Sequence, residues 1–188
     1  MDIKKYSLLG LLVASSLIPV SSQAAGALTG TLALTLTIGS GCTVTNGAVA
    51  GNPVWGTLNF GSYSDLNSPI NGTVQSTTGG SNVTVTCSTG LTPSIALNGG
   101  LTPSTGATPQ RTLTSVAAGA TPIPYRLYSD AAHTKEYLIN TAQALPTITT
   151  GTTTQNIPIY GYINPTEQAN KTPASGTYVD TVVATLSW

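Results

Sequence analysis

The most regular hydrophobic pattern in the chain lies near its N-terminus, at residues 28–38. Its odd positions are mainly threonine, and its even positions are Leu28, Gly30, Leu32, Leu34, Leu36 and Ile38. Alternation with a period of two predicts a β-strand with one apolar and one polar face. At ~3.3 Å per residue the segment would extend ~33 Å, about twice the length of a usual strand.

Shorter segments of the same kind recur along the chain, separated by clusters of Gly, Pro, Asn and Ser. The last of them places Val182, Ala184, Leu186 and Trp188 on one face. The predicted strands lie at residues 54–60, 82–87, 94–98, 111–116, 123–128, 136–140, 155–163 and 177–188. No segment has a convincing helical period, so the pattern predicts an all-β sandwich with one domain.

The first residues have the composition of an export signal. Lys4 and Lys5 precede an apolar stretch at 6–20, and Ser-Gln-Ala at 22–24 fits a small-x-small cleavage site. The apolar stretch is shorter than the ~20 residues that a membrane-spanning helix needs. We therefore predict a signal peptide at residues 1–24 and an exported mature chain.

The exported chain contains two cysteines, Cys42 and Cys87. An even pair of cysteines in an exported protein most often forms a disulfide. A metal site would need more ligands than the only histidine, His133, can add. We therefore predict a Cys42–Cys87 disulfide, which closes a long loop and contributes on the order of 4 kcal/mol.

The composition excludes several classes of partner. Charged residues make up 6% of the chain and the formal net charge is zero, against roughly 25% charged residues in an ordinary soluble domain. A nucleic-acid binder needs clustered Lys and Arg, and an acidic disordered tail needs a high net charge. Hydrophobic residues are 40% of the chain, which is enough for a core.

The sequence carries no recognisable constellation for catalysis, and we expect neither an enzyme nor a bound cofactor or metal. His133 lies in a polar segment, and no Gly-x-Ser-x-Gly motif is present. The carboxylates are scattered, so each is expected to serve a turn or the surface: Asp65, Asp130, Glu136, Glu167 and Asp180. One binding alternative remains, a carbohydrate platform formed by Tyr125, Tyr128, Tyr137, Tyr160 and Tyr162.

The long N-terminal strand has two possible places. It either pairs within its own sandwich or adds to the sheet edge of a neighbouring molecule, a known recognition mode. Its terminal position and the joint from Gly39 to Gly41 permit the second arrangement. Burying four of its apolar side chains would contribute about 6–12 kcal/mol, at ~1.5–3 kcal/mol each.

Six stretches, in order and spacing, resemble the spore coat protein U domain family, in particular the pilins of archaic, Csu-type chaperone–usher pili. They are Gly-Cys-Thr-Val at 41–44, Trp-Gly-Thr-Leu-Asn-Phe-Gly at 55–61, Gly-Ser-Asn-Val-Thr-Val-Thr-Cys at 80–87, Pro-Tyr-Arg-Leu-Tyr-Ser-Asp at 124–130, Ile-Pro-Ile-Tyr-Gly-Tyr-Ile at 157–163, and Gly-Thr-Tyr-Val-Asp-Thr-Val at 176–182 with its continuation to 188. Together they cover almost the whole exported chain.

The resemblance implies an incomplete immunoglobulin-like sandwich that lacks its final strand. A periplasmic chaperone would fill the gap during export, and an outer-membrane usher would exchange it for the N-terminal donor strand of the next subunit. The implied organisation is a signal peptide at 1–24, a donor strand and joint at 25–41, and a pilin domain at 42–188. Leu28, Leu32, Leu34, Leu36 and Ile38 would be inserted, while Gly30 departs from the apolar series.

The resemblance also implies a place for the C-terminal strand and for the disulfide. The strand with Val182, Ala184, Leu186 and Trp188 would border the open groove, and the Cys42–Cys87 bridge would join the first two domain strands. The implied function is a pilus subunit, with the major pilin favoured, on the cell surface in adhesion and biofilm formation. The alternatives are a secreted glycan-binding module and a structural protein of a spore or fruiting-body coat.

Overall fold

The computed structural model describes residues 33–37, 39–45, 55–75, 83–151 and 154–188. The chain divides into two units, Met1–Thr37 and Ile38–Trp188. The predicted signal peptide lies outside the described residues, as does most of the predicted donor strand. In the first unit, residues 33–37 lie outside regular secondary structure and are exposed.

The described part of the second unit contains short antiparallel strands and one 3₁₀ turn, Pro165–Glu167. The strands are β1 Cys42–Thr45, β2 Thr57–Leu58, β3 Ile70–Gln75, β4 Val83–Cys87, β5 Ser94–Leu97, β6 Arg111–Leu113, β7 Ile123–Tyr128, β8 Gln143–Ala144, β9 Thr154–Ile157, β10 Tyr160–Ile163 and β11 Ala184–Ser187. The described part of the chain contains no α-helix, so the all-β prediction is confirmed.

Three sheets share one hydrophobic core. Their strand orders are β1-β4-β9, β2-β3-β10-β7-β6 and β11-β5-β8. Val85 of the first sheet, Leu127 of the second and Ile95 of the third belong to the same buried cluster. The sheets therefore form a sandwich-like arrangement, as the spacing of the strands predicted.

The alternating segments bury the face that their pattern predicts. In β4 the buried residues are Val83, Val85 and Cys87, and in β7 they are Ile123, Tyr125 and Leu127. The threonines of β4 lie on its other face and remain half-exposed. Side-chain period alone fixes which residues of these strands face the core.

The strand predicted at 155–163 is in fact two strands in different sheets. β9 pairs with β4, whereas β10 pairs with β3 and β7. Pro158 separates the two strands and has no N–H to donate to a ladder. The chain therefore passes from the first sheet to the second at this point.

Two further expectations were wrong in detail. The strand predicted at 136–140 is reduced to isolated bridges, which pair Tyr128 with Glu136 and Leu97 with Ile139. In contrast, β3 and β8 were not predicted, because the Asn71-Gly72 pair in β3 is typical of a turn and β8 has only two residues. Their strand structure comes from pairing with neighbours, on which strand formation depends more than on intrinsic preference.

A pair of glycines in the second sheet explains why the stretch at 157–163 has a glycine between its two tyrosines. Gly72 and Gly161 lie directly opposite each other in β3 and β10. A Cβ atom on Gly161 would lie 2.7 Å from the ring of Phe60, and one on Gly72 would lie 2.7 Å from Leu58. The glycines therefore create the space in which Leu58 and Phe60 pack on the sheet.

Arg111 is the most unusual core residue, because its side chain is charged and only 2% exposed. Its guanidinium donates to the carbonyl oxygens of Asn98 at 2.8 Å, Tyr137 at 2.8 Å and Leu97 at 3.0 Å. Burial lowers the pKa of this guanidinium. It ties the end of β5 to the segment that follows β7.

Candidate strand-acceptor edge

Strand β11 forms the edge of its sheet in the described part of the chain. It pairs on one side with β5, with Ala184 opposite Leu97 and Leu186 opposite Ile95. Its other side faces no strand among the described residues. An edge strand presents unpaired N–H and C=O groups and is a template for the addition of a further strand.

The inward face of β11 is apolar but only half-buried. Ala184 and Leu186 of β11, together with Val182 two residues before the strand, pack against the core cluster, yet all three keep intermediate exposure. The core-facing residues of the central strand β5, Ile95 and Leu97, are 0% and 1% exposed. The core is thus incompletely covered along this edge. Trp188, predicted on the same face, is 58% exposed.

Asp180 anchors the chain just before β11. Its carboxylate accepts hydrogen bonds from the Tyr125 hydroxyl at 2.6 Å and from the Leu101 N–H at 2.7 Å. Tyr125 is buried, and its pKa is raised by burial and by this bond. Gly100 has a φ of 83°, and a Cβ there would collide with the same carboxylate. This carboxylate, expected to serve only the surface or a turn, positions β11.

Asn98 fixes the first residue of the edge. The Asn98 N–H donates to the Val183 carbonyl at 2.9 Å, and the Val183 N–H donates to the Asn98 Oδ1 at 2.8 Å. Because Asn98 also follows β5 directly, it fixes the register between β5 and β11 at this end. No local pattern in the sequence indicates this role.

Strand β1 is another edge strand, at one end of the first sheet in the described residues. Cys42 and Cys87 lie opposite each other in β1 and β4 and form the predicted disulfide. Next to it, the Ser88 Oγ donates to the carbonyl of Gly39 at 3.1 Å and accepts from the Gly41 N–H at 3.2 Å. The predicted joint is therefore bonded to Ser88 beside the disulfide.

The predicted donor residues are described only in part. Leu34 and Leu36 are 86% and 85% exposed. Leu28, Gly30, Leu32 and Ile38 lie outside the described residues. The donor assignment therefore stays a prediction.

The structure separates the tyrosines that the sequence grouped as one carbohydrate platform. Tyr125 and Tyr137 are 5% and 1% exposed, so they belong to the core and cannot contact a ligand. Tyr128, Tyr160 and Tyr162 keep intermediate exposure. The five-tyrosine platform is wrong because alternate residues of a strand face opposite sides of the sheet.

Two of the carboxylates that are scattered along the sequence lie close to the same arginine in the structure. Glu136 and Glu167 both form ion pairs with Arg126, at 2.8 and 2.9 Å. His133 stacks on Tyr162. Among the described residues there is no cluster of three or more potential metal ligands, and no helix is long and apolar enough to cross a membrane.

Comparison with known proteins places this fold in a family. The model of the Spore Coat Protein U domain matches residues 28–185. The chain is also 30% identical to Protein U of Myxococcus xanthus over 193 residues, with full coverage of both proteins. The chain therefore belongs to the Spore Coat Protein U domain family.

Among solved structures, one match is to the CsuC–CsuE chaperone–tip adhesion subunit pre-assembly complex from archaic chaperone-usher Csu pili of Acinetobacter baumannii. The match has 20% identity and a TM-score of 0.48. It covers 81% of this chain, which spans 40% of the length of the solved chain.

Proposed function

We propose that the chain is a fibre subunit that polymerises by donor-strand exchange. The N-terminal strand of one copy would add to the free edge of β11 in the next copy. The observation that carries this proposal is the edge itself. Among the described residues β11 has no partner on one side, and Val182, Ala184 and Leu186 are only half-buried over a shared core.

The alternating leucines supply what this edge lacks. A strand laid along residues 182–188, which include β11, would pair its backbone groups and direct every second side chain towards the core. The exposed Leu34 and Leu36 have the spacing that this requires. Four such side chains, Leu32, Leu34, Leu36 and Ile38, would contribute about 6–12 kcal/mol. This free energy of folding drives assembly, so the subunit needs no nucleotide.

The same proposal defines the partners and the route. A periplasmic chaperone would cover the edge of β11 before assembly, and an outer-membrane usher would catalyse the exchange. Other pilus subunits, and chiefly further copies of this chain as the major pilin, would then form a fibre at the cell surface for adhesion and biofilm formation. In this organisation residues 1–24 are removed, residues 25–41 are donated and residues 42–188 form the receiving domain.

The low charge of the chain suits a polymer. Without Asp2, Lys4 and Lys5 the exported chain has 4 basic and 5 acidic residues, a net charge of −1. In a polymer the net charge of each subunit accumulates as self-repulsion. A nearly neutral subunit limits that repulsion, and its Thr, Ser and Asn side chains supply the polar surface.

A truncated chain tests the proposal. A variant that starts at residue 39 can receive a strand but cannot donate one, so we expect it to remain monomeric. Adding a peptide of residues 27–38 should stabilise it by about 2.7 kcal/mol when the peptide is present at 100 times its Kd. Differential scanning calorimetry measures the stabilisation, and size-exclusion chromatography measures the assembly.

The matched control is the same peptide with Leu34→Thr and Leu36→Thr, which keeps the backbone but removes two of the inserted side chains. We expect it to stabilise the variant much less. A truncated chain that is already as stable as the full one, and that neither peptide affects, would refute donor-strand exchange.

A second candidate is a structural protein of a spore or fruiting-body coat, favoured by the full-length match to Protein U. Both candidates can use the same strand exchange, so peptide binding does not separate them. Electron microscopy does, because a pilin forms thin fibres on growing cells whereas a coat protein forms a layer around spores. Genes for a chaperone and an usher beside this one would favour the pilus.

A further inference from the structure

The outer face of the second sheet carries a compact grid of side chains. In register, Thr73, Tyr160 and Tyr128 form one row across β3, β10 and β7. Asn71, Tyr162 and Arg126 form the next row. Directly opposite residues on one face of a sheet are neighbours. Gly72 and Gly161 alternate with these residues and face the core side of the sheet, against Leu58 and Phe60. On the outer side of β10 the side chains are therefore those of Tyr160 and Tyr162.

A loop after β7 adds a third aromatic side chain to this face. The ring of His133 stacks on Tyr162 with centroids 4.5 Å apart and 25° between the planes, and it lies 5.0 Å from the ring of Tyr128. His133 has a φ of 56°, in the left-handed region that few side chains adopt. The imidazole is therefore held over the sheet by a constrained backbone.

Asp130 maintains this constrained loop. Its carboxylate accepts from the Thr134 hydroxyl at 2.7 Å and from the Lys135 N–H at 2.7 Å, and its carbonyl accepts from the His133 N–H at 3.2 Å. These bonds close the loop without using the imidazole or any of the grid residues. The loop thus presents His133 in a fixed position.

Beside the imidazole lies a shallow depression of about 340 Å³, at the lower end of the range for ligand pockets. Its lining residues are Asn71, Gly72, Thr73, Ala131, His133 and Tyr160. Within the described chain, the side chains of Asn71, Thr73 and Tyr160 form no hydrogen bond to the protein. Their amide and hydroxyl groups are available to a ligand.

The lining chemistry selects the kind of ligand. It combines aromatic rings, an amide and hydroxyl groups, and it contains no carboxylate. The neighbouring cation, Arg126, is already paired with Glu136 and Glu167. Arg126 therefore offers no free counter-charge to an anionic ligand, whereas an uncharged polyhydroxyl ring can lie on an aromatic face and exchange hydrogen bonds with the amide and hydroxyls.

We propose that this depression, which we call the Tyr160 site, binds a neutral hexopyranose such as a unit of an uncharged polysaccharide. Tyr160 and His133 supply the aromatic contacts, and Asn71 and Thr73 supply the hydrogen bonds. The site does not use the β11 edge, so it is independent of strand exchange. In an assembled polymer the site repeats with every subunit, and repetition raises the avidity of individually weak contacts.

Saturation-transfer difference NMR on the purified exported chain tests the site. The probes are the methyl glycosides of glucose, galactose, mannose and N-acetylglucosamine, each titrated to 10 mM, with methyl glucuronide as a charged comparison. We expect saturation of at least one neutral glycoside and a weaker signal for the glucuronide.

The variants separate binding from folding. Tyr160→Ala should weaken binding by about 2- to 13-fold, the range that one lost aromatic contact gives. Tyr160→Phe retains the ring and should bind more tightly than Tyr160→Ala. His133→Asn removes the imidazole but tolerates the left-handed backbone, and it should also weaken binding. Tyr63→Ala is the matched control, because Tyr63 is 59% exposed and lies outside the depression.

Circular dichroism and the thermal midpoint establish that each variant is folded. The proposal is overturned if no neutral glycoside binds the unmodified chain at 10 mM, or if the glucuronide binds more tightly than all of them. It is equally overturned if folded Tyr160→Ala and His133→Asn variants bind as well as the Tyr63→Ala control does.

Discussion

The buried guanidinium of Arg111 gives the sharpest test of how the fold supports the β11 edge. Replacing Arg111 with Met retains an unbranched side chain of similar length but removes every donor. The Leu97 carbonyl keeps a second hydrogen bond, from the Asn140 N–H at 2.8 Å. In the described part of the chain, the carbonyls of Asn98 and Tyr137 have no donor other than Arg111.

Two orphaned carbonyls set the size of the effect. A hydrogen bond from a charged donor contributes roughly 1.5–3 kcal/mol, so losing two of them should destabilise the chain by about 3–6 kcal/mol. For a domain of this length, each kcal/mol lowers the thermal midpoint by about 2–4 °C. We therefore expect Arg111→Met to lower the midpoint by roughly 6–24 °C.

The same substitution at Arg126 is the matched control. Arg126 lies on β7, next to β6 with Arg111, but its side chain is 29% exposed and is paired with two carboxylates at the surface. Partly exposed ion pairs contribute about 0.2–1 kcal/mol each. Arg126→Met should therefore lower the midpoint far less than Arg111→Met does.

Thermal and guanidinium unfolding, followed by circular dichroism in identical preparations, measure both variants. Size-exclusion chromatography checks that both variants have the same assembly state, and under that condition their difference isolates the buried contacts. If Arg111→Met lowers the free energy of unfolding by less than about 1 kcal/mol, or by no more than Arg126→Met, the three carbonyl contacts do not stabilise the fold as argued.

Three further predictions concern the region around the core. Reducing the Cys42–Cys87 disulfide should lower the free energy of unfolding by about 4 kcal/mol, because the bridge closes a loop with a sequence separation of 45 residues. Unfolding in guanidinium with and without reductant measures the change. A change below ~1 kcal/mol would contradict the argument that the bridge stabilises the chain by closing this loop. Gly100→Ala should destabilise the chain by more than ~1 kcal/mol, because the left-handed backbone at this position is strained for alanine and the added Cβ atom would collide with the Asp180 carboxylate. Calorimetry measures the loss, and a smaller loss would mean that Asp180 moves aside freely. Burial raises the pKa of Tyr137 to about 12, whereas an unfolded tyrosine titrates near 10. The folded state then holds more protons between these values, so stability should fall by up to ~1.4 kcal/mol per pH unit between pH 10 and about pH 12, and Tyr137→Phe should reduce that slope.

The repeating strands of the domain were predictable because their signal is local. Val83, Val85 and Cys87 alternate with threonines, and a period of two assigns them to one face wherever the strand lies. The half-buried face of β11 followed in the same way from Val182, Ala184 and Leu186. The disulfide followed from the predicted export signal and the pair of cysteines, and neither depends on knowledge of the fold.

The residues that hold the edge in place were not predictable, because each acts through a partner far away in the chain. Arg111 stands in a segment with no unusual pattern, and only the convergence of three carbonyls makes its burial possible. Asp180 was one of several isolated carboxylates until the fold brought Tyr125 and Leu101 to it. Hydrogen bonds across such separations leave no periodic trace in the sequence.

The sequence by itself thus determined an all-β, weakly charged chain with apolar and polar strand faces, since those properties depend on composition and on side-chain period. Only the tertiary structure decided which faces meet. It sent Tyr125 and Tyr137 into the core and left Tyr160 outside beside His133, because the position of a strand within a sheet depends on its neighbours. It also left β11 at an edge of the described sheets, a property of strand order that no single strand encodes.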